Sequence, residues 1–541
     1  MNTTAIFKAS LLLLIAFFCI NYSSAQNIRI AWGDGVKDKR HTNIYKLIYA
    51  SSEESFILRN IYPTFVSGVI YPKDKLVLEK FDAQQNKVFE KLFEFNDKTH
   101  FYDIVLVENK LYLFYKTYDE QKKKSYFIVK LLNTENGEEA GQEKTIDSVD
   151  FSKKDNINGY IQKVRVVPGN NGIMVYSYTQ TEYIVKWLNN DLSKRAEFHM
   201  KNSEKNKLSL SEPLIDKNKN LYFLCSKGNE LVFDWEKEFI SSYDNFALAC
   251  IRWRERFQFS TIKLDSTMHT IEQLDLLLED PKKGITQLKQ VFYPDSSKII
   301  ISGFYSEKNV VSAAGHCSFI MDLSKKLIYA CKIYGFSDQL KSEFRLKENQ
   351  YGRKEIEKLV ISNIIFNSND SSFITLAEIK KFEYDPFTKY SMYASNFYFG
   401  NILVICSEVD GQIKWIQNIS KNQKSSFDEG CHLSFCLLQN ENDLGFIFMD
   451  NYKNKDKTKG ETKTITMGPY IDKDATLMLC KISLNDGNIT SEEIESLKPG
   501  NDNSSFCVMP KFCYFISPNK AIILSHYGSV HKVGLLQIDR E

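Results

Sequence analysis

Residues 101–146 read FYDIVLVENKLYLFYKTYDEQKKKSYFIVKLLNTENGEEAGQEKTI. Four short strands can be cut from this stretch: FYDIVLV, KLYLFYKTY, SYFIVKLLN and the weaker EEAGQEKTI. They are rich in aromatic and β-branched residues, which fit a pleated surface. The polar turn ENK joins the first two, and NTENG joins the last two; Asn, Asp and Gly are favoured in turns because they tolerate left-handed backbone. The unit is a four-stranded antiparallel meander.

Similar units recur along the chain. Before this one come NIYKLIYA (43–50), SFILRNIY (55–62), KLVLEKFD (75–82) and KVFEKLFEF (87–95). After it come IQKVRVV (161–167), GIMVYSY (172–178), EYIVKWL (182–188) and SKRAEFHM (193–200). The fourth unit reads SEPLIDK, NLYFLCS, FALACIRW (246–253) and, as a weaker last strand, FSTIKL (259–264). The fifth is ITQLKQVFY, KIIISGFY, CSFIMDL and KLIYACKIY. The sixth is KLVISNIIF, SFITLAEI, FGNILVICSEV and QIKWIQNI, and the seventh is HLSFCLL, LGFIFMD, TLMLCKIS and NITSEEIE. The last has three strands only, CVMPKFCYFI, KAIILSHY and VGLLQID, and an orphan strand, NIRIAWG (27–33), precedes the first unit.

Many of these strands are apolar at consecutive positions, as in a sheet covered on both faces. Repeats that each cover their neighbours build a ring or a solenoid. The orphan strand and the incomplete last unit complete each other, and a closed ring leaves only short, protected edges. The expectation is an all-β chain folded as a single β-propeller of four-stranded blades. The repeats count eight, with seven as the alternative, and the N-terminal strand closes the last blade.

The third strands are the most alike: EYIVKWLNND, YFIVKLLNTENG, LMLCKISLNDG, LVICSEVDG and VGLLQIDRE. On these third strands and the split last unit, the chain resembles secreted bacterial β-propellers of the loose WD40-like kind. IRIAWG, then a gap and SFILR, resembles the opening of uncharacterised exported propellers of that kind. The Trp-Asp ends of true WD40 blades, the kelch Gly-Gly pairs and the sialidase Asp-box are not present as patterns. The resemblance therefore implies a fold and no activity.

The N-terminus reads as a signal peptide: Lys8, then the apolar run Leu11–Ile20, then Ser23 and Ala25 at a cleavage site that leaves Gln26 first. The expected organisation is a signal peptide, 1–25, and a propeller, 26–541, with a helical inter-blade insertion at about 336–358. The apolar run is too short to span a bilayer, so no membrane insertion is expected. Export is expected, with the periplasm before the extracellular medium or cell surface, in a chain of bacterial composition. The net charge of +2 lacks the concentrated basic patch of nucleic-acid binders. Of 11 Cys, all but Cys19 follow residue 224, and most read as buried apolar residues. Cys317 and Cys331 flank a hairpin that can set them opposite each other.

Short turns join first to second and third to fourth strands. The long connections fall between second and third strands or between units: 306–316, 335–358, 380–398 and 451–475. In an up-and-down blade both kinds lie on the same side of the disc, so one face is plain and the other elaborated. Loops on a rigid scaffold commonly carry function.

The loop 380–398 holds Phe382, Tyr384, Phe387, Tyr390 and Tyr393 among Lys and Asp. These are the candidate binding residues, since aromatic groups are enriched at interfaces; a loop folded over its own hydrophobic cluster has the same composition. The charges of 451–475 largely cancel, which suits a solvated loop. Asp216, Asn218 and Asn220 have the spacing of a calcium loop, but its Gly and distal Glu do not follow, and a polar turn explains them. His526 and His531 read as structural. No metal or cofactor is expected, and no catalytic motif stands out.

The expectation for function is a non-enzymatic binding or scaffold protein, a monomer, whose elaborated face holds an envelope protein or glycan. The alternative is a carbohydrate-active hydrolase or lyase with acidic residues at the channel mouth.

Overall fold

The computed structural model describes residues 28–538 apart from 38–41, 62–74, 97, 151–161, 168–171, 179–181, 202–206, 229–257, 308–311, 345–354, 368–369, 384–395, 427–429, 455–462, 468–473, 495–506, 518 and 528–529. It is a β-propeller of eight four-stranded antiparallel blades. Blade 1 comprises Thr42–Ala50, Ser55–Ile61, Lys75–Phe81 and Lys87–Glu94. Blade 2 comprises Thr99–Val107, Lys110–Asp119, Lys124–Leu132 and Lys144–Asp150, and blade 3 Gln162–Val166, Ile173–Tyr178, Glu182–Leu188 and Lys194–Lys201. Blade 4 comprises Lys207–Leu210 with Leu214–Ile215, then Leu221–Gly228, Gln258–Leu264 and Thr270–Leu276. Blade 5 comprises Gly284–Phe292, Lys298–Ser306, Gly315–Asp322 and Leu327–Gly335. Blade 6 comprises Leu359–Asn367, Ser372–Glu383, Asn396–Ser407 and Ile413–Ile419, and blade 7 Cys436–Gln439, Asp443–Asn451, Ala475–Ser483 and Ile489–Glu493. Blade 8 comprises Cys507–Val508 with Tyr514–Ser517, then Lys520–Tyr527, Val530–Ile538 and, as its fourth strand, Ile28–Trp32.

The first strands ring the axis, since those of neighbouring blades touch: blade 1 meets blades 2 and 8, and blade 5 meets blades 4 and 6. The fourth strands form the rim and alternate between exposed and covered residues, as Lys87–Glu94 and Thr270–Leu276 do. The second and third strands are apolar and buried on both sides, as Lys298–Ser306 and Gly315–Asp322 are. Each inter-blade space therefore holds its own core, such as the one made by Phe56, Leu58 and Leu78 of blade 1 with Ile104, Leu111 and Leu113 of blade 2.

The repeated third-strand ending has a structural cause. Asp82 Oδ1 accepts hydrogen bonds from the Gln84 and Asn86 amides, and Asp265 Oδ1 accepts from those of Thr267 and His269. These turns need one left-handed residue, supplied by Gln85, Gly137, Leu192, Met268, Gly411 and Gly487. A register shift follows on the fourth strand of blades 1, 3, 4 and 6, and such bulges help blunt an edge against aggregation. Gly487, at φ 73°, also lies where an added Cβ would sit 2.8 Å from the Trp415 ring. Gly487→Ala is expected to lose about 1–3 kcal/mol, read as a lower urea midpoint with Trp415 fluorescence as the probe.

Two strand assignments differ from the sequence reading. FSTIKL is the third strand of blade 4, in register with Leu221–Lys227, and Thr270–Leu276 is the fourth. It is followed by the Asp265 turn, the mark of a third strand, whereas FALACIRW lies outside the described residues. In blade 2, Glu139 makes only a single bridge to Leu132, and pairing resumes at Lys144.

Closure at the termini is a five-residue antiparallel ladder from Ile28↔Ile538 to Trp32↔Gly534. A second point of closure is covalent, where Cys436 of blade 7 is bonded to Cys513, next to the first strand of blade 8. Cys225, Cys317, Cys406, Cys431, Cys480 and Cys507 are buried and stand outside any disulfide among the described residues. Cys317 pairs in register with Ile333 and Cys331 with Phe319, so the two cysteines are offset along the hairpin rather than opposite. Within the described part of 336–358, Asp338–Glu343 is helical, capped by Ser337 Oγ accepting from the Leu340 amide.

Candidate functional site

The two ends of the disc are built differently. At one end the turns close on their own Asp and Asn side chains. Asp216 belongs to this end: its carboxylate accepts from the Asn218 and Asn220 amides and from Asn220 Nδ2. Those bonds are the turn's own, and among the described residues no group of three or more His, Cys, Asp or Glu is placed to hold a metal ion.

The other end carries strands that belong to no blade's four. Over blades 5 and 6, Ser312–Ala313 pairs with Ile356–Glu357. Over blades 6 and 7, the long second and third strands of blade 6 run on together, Lys380↔Phe399 to Glu383↔Asn396. Gln423–Ser426 pairs with Asn396–Phe399, and Ile465–Met467 adds to it in parallel. The result is a four-stranded ribbon standing on the elaborated face. It is the base of the loop that holds the sequence-predicted binding residues. Phe382 stands in it, opposite Phe397; Tyr384, Phe387, Tyr390 and Tyr393 lie outside the described residues.

One side of the ribbon is buried. Phe397, Phe399, Ile465 and Met467 pack on a core shared by blades 7 and 8. Charge is buried there too. Lys421 Nζ lies 2.5 Å from Glu378 Oε1 and 2.8 Å from Gln423 Oε1, with both charged side chains fully inaccessible. Ser434 Oγ donates to Glu378 Oε2 (2.7 Å), the Ser434 amide donates to Gln423 Oε1 (2.8 Å), and Gln423 Nε2 donates to the Met449 carbonyl (2.8 Å). Burial pushes the Lys421 ammonium below its ordinary range, against the attraction of Glu378. A buried ion pair persists only with its remaining donors and acceptors satisfied, and this network supplies them from four separate segments.

A second carboxylate, Glu355, accepts from Ser306 Oγ, Ser312 Oγ and the Glu307 amide, tying the loop of blade 5 to the connection leading into blade 6. A third, Asp450, accepts from Asn454 Nδ2 and the Asn451 amide. Burial pushes Asp450 up to about 6, although those bonds oppose it. Its folded value lies above its ordinary one, so the native state holds the extra proton between about pH 4 and 6, and stability falls as pH rises through that window. Asp450→Asn is expected to remove this dependence and to gain about 2 kcal/mol at pH 8, measured by urea unfolding at pH 5 and pH 8.

These residues were not singled out from the sequence. The available signal was a lone charge inside an apolar strand: Glu378 in SFITLAEI and Asp450 in LGFIFMD. His531, read as structural, sits in a buried cluster with Glu79, its Nε2 donating to the Glu79 carboxylate Oε2 at 3.0 Å. His526 stands opposite it and its ring lies 6.1 Å from that of His432.

No family model matches the chain, and no curated protein matches it. Among the solved structures similar to it are propeller domains. The β-propeller domain of the Trilobed protease from Pyrococcus furiosus covers 84% of this chain and 96% of its own, at 8% identity and TM-score 0.34. A periplasmic gluconolactonase of Pseudomonas aeruginosa covers 69% and 85%, at 9% identity and TM-score 0.35. A member of the duf4221 family from Bacteroides vulgatus covers 86% and 99%, at 10% identity and TM-score 0.31. Likeness at this level carries no argument about activity; the eight blades seen among the described residues establish the fold.

Proposed function

We propose that the chain is an exported binding or scaffold protein without enzymatic activity, whose elaborated face holds an envelope protein or glycan. In this reading residues 1–25 are removed as a signal peptide, and the mature propeller works as a monomer in the periplasm, akin to secreted bacterial propellers of the loose WD40-like kind. The observation that carries the reading is the asymmetry of the disc. The extra strands, the buried Lys421–Glu378 pair and the Glu355 and Asp450 networks all lie on the face that bears the aromatic loop 380–398. Buried charge is costly to assemble, and here it fixes the base of a surface loop. The Cys436–Cys513 bond supports an oxidising compartment.

The test is an affinity pull-down from the cell envelope with tagged protein starting at Gln26, beside a variant in which 384–395 is replaced by a two-residue turn. A partner recovered by the first and lost by the second, at equal thermal stability, is the expected result. A partner retained by the variant would place the binding face elsewhere. Turnover in a screen of glycoside and polysaccharide substrates would replace this reading with the hydrolase or lyase.

A further inference from the structure

The ribbon's parallel strand, Ile465–Met467, is held from two sides. One hold is the ribbon itself: Ile465–Met467 pairs with Gln423–Ser425, and the Ile465 amide donates to the Asn422 carbonyl at 3.0 Å. The other comes from blade 7. Asn454, 7% exposed, donates from Nδ2 to the Lys463 carbonyl (2.9 Å) and accepts from the Lys463 amide on Oδ1 (2.8 Å), two residues before Ile465. The same Nδ2 donates to Asp450 Oδ1 at 2.9 Å. Asp450 stands next to last in an apolar strand and is 5% exposed. Phe446 and Phe448 of that strand pack on the core shared by blades 6 and 7, and by strand alternation Asp450 points the same way. From the end of blade 6 Lys421 attracts it, already paired with Glu378, which Lys380 also approaches. On blade 7, Glu493 accepts from Thr476, the residue opposite Asp450, and Lys453 pairs with Asp474 beyond the turn. Blade 8 covers the strand's other face, with Lys511 exposed on its short helix Pro510–Phe512.

We propose that a proton on Asp450 decides whether Ile465–Met467 keeps its hold on blade 7: the neutral acid holds the Asn454–Lys463 link shut, and the carboxylate releases it. An ionised carboxylate has about four acceptor sites. Among the described residues Asp450 receives two donors, both on Oδ1: Asn454 Nδ2 and the Asn451 amide. Its charge is therefore short of donors while the link is closed, and Lys421 is engaged by Glu378. Opening the link admits water to Oδ2 and solvates the charge, whereas the neutral acid still accepts on Oδ1 and costs far less to bury. Burial holds the Asp450 carboxyl up at about 6. The closed form thus binds the proton more tightly than the open one, and rising pH favours opening. The device goes beyond the binding reading and stands whether or not the face holds a partner.

The experiment is hydrogen exchange by mass spectrometry on protein starting at Gln26, between pH 5 and pH 8, with rates corrected for the intrinsic effect of pH. Protection of 463–467 is expected to fall about tenfold from pH 5 to pH 8 and to level off above about 6. At pH 8 it is expected to lie well below that of Leu111–Tyr115 in blade 2. Asp450→Asn keeps a neutral acceptor in place and is expected to hold the pH 5 level throughout. Asn454→Ala removes the link and is expected to give low protection throughout. Thermal melts confirm folding, and if Asp450→Asn melts early the wild-type profile and Asn454→Ala carry the test. Equal protection of 463–467 at pH 5 and pH 8 overturns the proposal. A pH dependence that survives in folded Asp450→Asn also overturns it, since the proton then belongs to another group. Protection of 463–467 equal to that of blade 2 at pH 8 means opening by global unfolding alone, and overturns it too.

Discussion

Replacing Glu79 with Gln is expected to cost about 3–5 kcal/mol of folding stability, because it takes from a buried guanidinium the carboxylate that holds it with two hydrogen bonds. Arg59, in the second strand of blade 1, donates from Nε and a terminal nitrogen to both oxygens of Glu79, in the third strand, at 3.0 and 2.8 Å. The pair is 2% and 0% exposed. His531, from the third strand of blade 8, completes the cluster and is equally inaccessible. The three groups join the first blade to the last beside the terminal ladder, where the ring must close. Burial pushes the Glu79 carboxyl up, but the hydrogen bond and charge of His531 and those of Arg59 outweigh it and hold it below its ordinary 4.5. Its folded value is depressed, so its contribution is present above that pH and is lost as pH falls below it. Urea melts at pH 7 and at pH 4 check this. The Glu79→Gln loss should shrink at the lower pH, and an equal loss at both, or a loss under 1 kcal/mol at pH 7, would contradict it. The triple change Arg59→Met, Glu79→Leu, His531→Phe removes the three fully buried members, leaves Lys87 and Glu90 paired with each other at 2.7 Å, and is expected to recover more than half of the loss.

Reduction of the Cys436–Cys513 bond is expected to remove about 4 kcal/mol, on the chain-entropy estimate for a bridge spanning 77 residues. The comparison is the urea midpoint with and without reductant, beside Cys436→Ser/Cys513→Ser, which should match the reduced protein and be indifferent to reductant. The bond joins blade 7 to blade 8, one seam away from the Glu79 cluster that joins blade 8 to blade 1. Peptide mapping without reduction should recover Cys436 joined to Cys513 and the thiols of Cys225, Cys317, Cys406, Cys431, Cys480 and Cys507 free. Three or more bridges would contradict the pairing.

Much of the architecture was legible because it rests on local rules. SYFIVKLLNTENG and its relatives show a buried strand followed by a turn whose first Asn or Asp binds the amides two to four residues on, and that combination counts blades. Where a local rule weakened, the reading slipped. FALACIRW is apolar enough to pass for a strand, yet FSTIKL with its Asp265 turn holds the third-strand place. In the candidate site little was legible. The aromatic loop 380–398 was visible as composition, but the ribbon beneath it joins residues near 380, 398, 424 and 466, and no periodicity links those positions.

The sequence by itself determined the four-stranded unit, a count of eight units with seven as the alternative, the closure by NIRIAWG and the uneven length of the connections. These follow from strand alternation and turn chemistry, which act over a few residues. Only the tertiary structure decided which charges would meet. Arg59 and Glu79 find His531 more than 450 residues away, Lys421 finds Glu378 and Gln423, and Lys381 and Lys424 share Tyr398. The reason is physical. An isolated charge in an apolar strand is tolerated only if a partner arrives, and which partner arrives depends on how the ring brings separate segments side by side.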